Sequence, residues 1–240
     1  MTQAPARSPS TLVLALAGTV LLLLGAIGGW LFESRRMEQA VRTTLLENPE
    51  ILPEAMQKLR ERETGKQVDA LAAKLTEPFP GAVLGNPQGK VTLVEFTDFA
   101  CTYCRASVAE VEALIAANPD LRVVVRDMPI LSPQSAEAAR MGLAAAEQGK
   151  YAAFHKAMFA AGRPDARTIA EAARSAGLDM ERARKVIADP KTDAELAANL
   201  DYARQLGFDG TPSWVIGDQA FSGAVGRDVL QKAITEARES

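Results

Sequence analysis

Cys101 and Cys104 are the only cysteines of this 240-residue chain, and they stand in the run Cys101-Thr102-Tyr103-Cys104. Together with the single histidine, His155, they fall short of a four-ligand zinc cage, and they can close one bridge at most. At this spacing, in the first turn of a helix, the two Cα atoms lie within the range that a disulfide tolerates. Such a bridge is a weak staple: a four-residue loop contributes only about 2 kcal/mol, against about 3 kcal/mol for a loop of fifteen. A redox purpose explains the pair better. Unpaired N–H groups and the positive dipole end of a helix favour a thiolate, with a pKa below the free value of about 8.5. Cys101, nearer solvent, is then the attacking nucleophile, and Cys104, one turn in, the resolving thiol. A soft two-thiolate Cu(I) site and an inert structural bridge are the alternatives.

These sulfurs need a strand to deliver them and a helix to hold them. Val91 to Phe96 is β-rich and ends in Asp98, and Cys104, Val108, Val111, Leu114 and Ile115 recur at helical spacing up to Asn118-Pro119-Asp120. Leu121 to Arg126 supplies a second β-branched run, so the unit is a βαβ crossover, right-handed by default. Candidate helices follow at 135–148, 151–161, 166–176, 179–188 and 193–206, separated by Gly149, Gly162 with Pro164, Gly177 and Pro190. Strand signals return in Ser213 to Ile216 and Gln219 to Ser222 around a Gly217-Asp218 turn, and Arg227 to Arg238 closes as a helix. The expected body is therefore α/β over 79–240, with a βαβ half, a ββα half and an all-helical insertion at 133–206.

Ahead of the body, Thr11 to Phe32 carries no charge. As a helix it measures about 33 Å, matching a hydrocarbon core of about 30 Å. A transmembrane anchor over 11–32, behind a short tail at 1–10, is expected, with a cleaved signal peptide as the alternative. Arg7 precedes the run and Arg35, Arg36 and Arg42 follow it; by charge bias alone the body would face the cytoplasm, a rule that weakens when a long domain follows. Residues 33–78 read as a charged helical stalk with an apolar stripe through Met37, Val41, Leu45, Leu59, Val68, Leu71 and Leu75, interrupted near Pro49 and Pro53. That stripe must meet either its own domain or the stalk of another copy, so a homo-oligomer is one expectation. Lys plus Arg number 27 against 30 for Asp plus Glu, which leaves no basic excess for nucleic acid.

The stretch Phe96-Thr97-Asp98-Phe99-Ala100-Cys101-Thr102-Tyr103-Cys104 resembles the active-site segment of the DsbA family, bacterial envelope thiol-disulfide oxidoreductases with a thioredoxin-like fold and a helical insertion. Gly210-Thr211-Pro212-Ser213-Trp214-Val215-Ile216 resembles that family's cis-proline loop, Phe221-Ser222-Gly223 follows as the resemblance implies, and Tyr151 to Phe159 is similar to a helix of the insertion. Glu47 to Ala55 resembles the amino-terminal region of the suppressor-of-copper-sensitivity C branch, whose members can associate through this segment. The likeness to that branch implies disulfide shuffling or reduction, with a link to copper stress, rather than simple oxidation. Thr102-Tyr103 differs from the Pro-His and Pro-Tyr pairs common among relatives. Without a histidine beside Cys101 one stabiliser of the thiolate is missing, which argues against strong oxidising power.

Further roles follow from the resemblance. A cis bond at Pro212 would turn the Thr211 backbone toward the sulfurs, where it pairs with an extended substrate, and Thr102 and Tyr103 would offer a surface to that substrate. Glu95 occupies the spot where thioredoxin-like proteins carry a buried acid that relays a proton to or from the resolving thiol; as an alternative it is a tolerated polar residue on a half-exposed strand face. His155, without companion ligands, is expected as a packed or surface histidine. No dissociable cofactor and no metal are needed, because the sulfur pair carries two electrons. The implied partners are periplasmic proteins with thiols or disulfides and a membrane redox protein that resets the pair. The implied location is the inner membrane, with the catalytic domain in the periplasm, or the periplasm itself after signal cleavage.

Overall fold

The computed structural model describes residues 11–239 and divides into two compact units after Leu59. Helix α1 runs unbroken over Thr11–Glu47, a turn follows, and α2 spans Ile51–Thr76. The apolar run and the start of the charged stalk thus share one helix. Among the described residues no helix is long and apolar enough to cross a membrane, so the anchor expected over 11–32 is not confirmed; the tail 1–10 lies outside the described residues. Pro49 stands in the turn that ends α1, whereas Pro53 sits in the first turn of α2, where its missing N–H costs no hydrogen bond.

The second unit, Arg60–Ser240, takes in the end of α2. Val68, Leu71 and Leu75 are buried there against Val94, Phe96, Val124 and Phe208. Each such side chain contributes about 1.5–3 kcal/mol by leaving water. In the first unit Val41, Leu46, Leu52, Met56 and Leu59 remain exposed.

A five-stranded sheet of order β1-β3-β2-β4-β5 forms the centre of the second unit. Strands β2 (Val91–Thr97) and β3 (Leu121–Asp127) run parallel, joined by α3 (Thr102–Ala117). Strands β4 (Ser213–Ile216) and β5 (Gln219–Ser222) pair antiparallel and lead into α9 (Arg227–Glu239). The edge strand β1 (Val83–Gly85) pairs antiparallel with β3. It was unexpected from sequence, because three residues flanked by glycine and proline carry no period to read.

The insertion comprises α4 (Pro133–Ala146), α5 (Tyr151–Ala161), α6 (Ala166–Ser175), α7 (Met180–Ile187) and α8 (Pro190–Gln205). Pro190, expected as a separator, instead opens α8 behind an Asp189 cap; proline is pre-shaped for a first helical position and lacks an N–H that would go unpaired there.

Alternation along the strands divides the core. Leu93, Val123 and Val125 face α3 and α9 together with Val111, Leu114, Leu230 and Ile234, while Val94, Phe96 and Val124 face α2. By the same period of two, Glu95, Thr97 and Asp127 lie on the α3 side. A carboxyl is thereby set beneath the helix that bears the cysteines.

Candidate active site

Cys101 caps α3. Its backbone is extended (φ −77°, ψ 124°), and its sulfur accepts from the Cys104 N–H at 3.4 Å. An N-cap contact of this kind satisfies one of the orphan donors of a helix start and places the sulfur at the positive dipole end. The same Sγ donates to the Thr211 carbonyl at 3.2 Å, and the Thr211–Pro212 peptide is cis. Sequence positions 110 apart therefore meet at one sulfur.

Both cysteines are free thiols in unequal settings: Cys101 is 6% exposed and Cys104 fully buried. Burial pushes the Cys104 thiol up to about 12, opposed by the hydroxyls of Thr211 and Thr97 and by the Asp98 backbone. Thr102 and Tyr103 lie on the surface between them, Tyr103 67% exposed. The cis-proline loop is braced from behind: Ser213 Oγ donates to the Gly210 carbonyl at 2.8 Å, the Gly223 N–H to the Pro212 carbonyl at 2.8 Å, and the Trp214 indole to the Gly223 carbonyl at 2.9 Å.

Glu95 is 2% exposed, which overturns the half-exposed alternative. Its neighbours in the sheet are Val125 and Trp214, its Oε2 has no hydrogen-bond partner, and burial pushes its carboxyl up to about 8. It stands one pleat below Thr97 on the face toward α3. A carboxyl so placed is protonated at neutrality and able to exchange that proton as its surroundings change. His155 is packed, enclosed by the rings of Phe99, Tyr151 and Phe159, and burial lowers its pKa to about 4. It is a neutral core residue with no hydrogen bond from its Nε2.

Two acids escaped the sequence reading. Asp98, read only as a strand end, accepts from the Ala100 N–H at 2.8 Å through Oδ1, and from the N–H groups of Ile130 and Leu131 at 2.9 Å each through Oδ2. Its own carbonyl accepts from the Cys101 N–H at 2.9 Å. The first of these bonds is an Asx turn, a signal that a short acid before a helix carries locally; the other two join distant segments and leave no mark in sequence. Asp127, buried at the end of β3, takes the Tyr151 hydroxyl on both oxygens at 3.2 Å, and burial raises its carboxyl well above the usual range.

Residues 92–235 match the family model of the DSBA-like thioredoxin domain, and residues 33–64 match the copper resistance protein ScsC N-terminal domain. A thioredoxin-like oxidoreductase from Silicibacter pomeroyi is 44% identical in the aligned region, covering 66% of this chain and 92% of its own, with a TM-score of 0.63. A linker-deletion mutant of Proteus mirabilis ScsC is 28% identical, covering 86% of this chain and 95% of its own, with a TM-score of 0.68. Among curated proteins, the Na(+)/H(+) antiporter NhaA 3 of Salinispora tropica is 30% identical over 166 residues, 67% of this chain and 25% of that protein. The chain spans about a quarter of the length of the curated relatives it matches. With its family model covering more than half the chain, and with a cysteine-capped helix facing a cis-proline, this protein belongs to the DSBA-like thioredoxin-domain family of thiol-disulfide oxidoreductases.

Proposed function

We propose that the chain exchanges disulfides with protein substrates of the bacterial envelope through Cys101 and Cys104. One observation carries this: the sulfur that caps α3 also lies 3.2 Å from the Thr211 carbonyl, so the nucleophile and an edge for pairing with an extended peptide share one spot. In the reducing direction the Cys101 thiolate attacks a substrate disulfide. A Cys101–substrate S–S bond forms, and one substrate sulfur leaves as a thiolate that takes up a proton. Cys104 then gives up its proton and attacks the Cys101 sulfur, which closes the Cys101–Cys104 bridge and expels the second substrate sulfur. Two electrons pass to the substrate, and the oxidising direction is the reverse.

Glu95 is the proposed proton relay for Cys104: its ionised fraction accepts the thiol proton during resolution, and its protonated form returns one in the reverse direction. Burial pushes the Cys104 thiol up to about 12, so resolution requires a base on the dry side of the site. Thr102, Tyr103 and the Thr211–Pro212 edge contact the substrate. Without a histidine beside Cys101, and with a segment matching the ScsC N-terminal domain, the favoured direction is shuffling or reduction, and a membrane redox protein resets the pair.

The domain works in the periplasm, to which 11–32 delivers it as an anchor or as a leader removed after export; the intact mass of the mature chain decides between them. The exposed apolar side chains of the first unit serve self-association, read out by light scattering of the full chain. Insulin reduction tests the central claim. Wild-type chain turns over, Cys101→Ser abolishes turnover, and Cys104→Ser accumulates a mixed disulfide. Tight Cu(I) binding with no exchange overturns the proposal in favour of a metal carrier.

A further inference from the structure

The order of strands sets three loops side by side at one end of the sheet. Strand β2 lies between β3 and β4; Cys101 follows β2, Ile130 and Leu131 follow β3, and Thr211 precedes β4. Thr211 and the Ile130–Leu131 segment therefore flank Cys101 on opposite sides. Ile130 is 43% exposed and Leu131 54% exposed, so two adjacent large apolar residues face water near the cysteines, with the exposed ring of Tyr103 on the same end.

Neither segment is left to find its own position. The Asp98 carboxylate accepts the N–H groups of both Ile130 and Leu131 and, on its other oxygen, that of Ala100. Its carbonyl holds the Cys101 N–H. One buried side chain thus ties the nucleophile's turn to the apolar segment. Three backbone donors on the two oxygens of one side chain fix both segments in direction as well as in distance.

Resting on disulfide exchange as the activity, we infer that Asp98 is a positioning residue for substrate choice. It holds Ile130 and Leu131 as an apolar jaw opposite Thr211, so that the site prefers polypeptide disulfides whose cysteine is flanked by apolar residues. Thr211 supplies a sequence-blind main-chain contact, and the jaw supplies the selectivity. Apolar side chains buried against it contribute in proportion to area, which a small disulfide such as oxidised glutathione cannot exploit.

The test uses the full chain, reduced, against two peptide disulfides that differ only in apolar or acidic flanks, and against oxidised glutathione. Wild type is expected to show kcat/KM about tenfold higher for the apolar peptide, a difference of about 1.4 kcal/mol, carried by KM. Asp98→Ala brings the two peptides to within about twofold of each other. Asp98→Asn, which keeps an acceptor for Ile130 and Leu131, retains part of the preference. Because Asp98→Ala removes three bonds and can fail to fold, Ile130→Ser combined with Leu131→Ser is the second probe; it alters only exposed side chains and should erase the preference equally.

Equal kcat/KM for the two peptides in wild type, or a preference that survives both the alanine and the double serine variant, overturns the inference while glutathione turnover keeps exchange standing. Loss of peptide and glutathione turnover together in a folded Asp98→Ala assigns Asp98 to the architecture of the site and overturns its selective role. Failure of wild type on every disulfide overturns exchange itself and the inference with it.

Discussion

At Cys104 and Glu95 the chemistry depends on two groups that burial keeps neutral. The thiol is pushed up to about 12 and the carboxyl to about 8, so the carboxylate is the stronger candidate to be ionised first as pH rises. If Glu95 accepts the Cys104 proton, resolution of the mixed disulfide should accelerate with pH through about 8, where half of the carboxyl is ionised, and level off about a pH unit higher. Glu95→Gln should remove that limb and slow resolution about 10²-fold, the lower bound typical of a lost general base. Rapid-quench measurement of the mixed species between pH 6 and 9 reads both effects; an unaltered pH profile in Glu95→Gln would assign Glu95 no part in proton transfer.

Elements are joined at Arg126, whose guanidinium is buried at the end of β3. It donates to Glu195 at 2.6 Å and to Asn199 at 3.2 Å on α8, and to the Leu75 carbonyl at 3.2 Å, with further bonds to the carbonyls of Lys74 and Glu77. Helix C-termini leave four carbonyls without partners, and this one side chain satisfies two of those of α2, Lys74 and Leu75, together with Glu77 just past its end, while pinning the insertion to the sheet. Arg126→Ala should cost about 3–5 kcal/mol, the range for breaking a buried pair and stranding its partner, read as a lower urea midpoint. Leu75→Ala, which removes a fully buried contact of α2 with the same sheet face, should cost about 2–5 kcal/mol. If the urea midpoint moved in neither variant, the end of α2 would not be part of the folding unit.

For the second unit taken whole, the buried titratable groups set a pH window. Glu95 titrates near 8 when folded against an ordinary value of 4.5: the folded state holds its proton longer, so stability falls as pH rises from about 4.5 and levels past about 8. His155 titrates near 4 against 6.5, so its contribution is complete above about 6.5 and is lost as pH falls toward 4. The two slopes oppose each other between about 4.5 and 6.5. Above that the Glu95 slope remains; the Asp127 carboxyl is raised in the same sense. The thermal midpoint should therefore fall from about pH 6.5 to 8, each group giving at most about 1.4 kcal/mol per pH unit. Glu95→Gln should shallow that fall, and His155→Phe should shallow the loss below pH 6.5.

Local chemistry was legible in the chain itself. The Cys101–Cys104 spacing at a strand-to-helix turn, the β-branched runs and the glycine and proline stops depend on neighbours a few residues apart, and period and turn residues record such relations directly. The likeness to the family carried the Thr211–Pro212 loop to the site. What required the tertiary structure were relations across long separations. These include the depth that makes Glu95 a buried acid rather than a surface one and the β1 edge that only β3 stabilises. They also include the reach of Arg126 from β3 to both α2 and α8 and the Asp98 carboxylate that binds Ile130 and Leu131 from 32 and 33 residues away. Burial and convergence arise when the sheet closes, because a side chain's environment is set by whichever segments pack over it, and no pattern of neighbours along the chain encodes that choice.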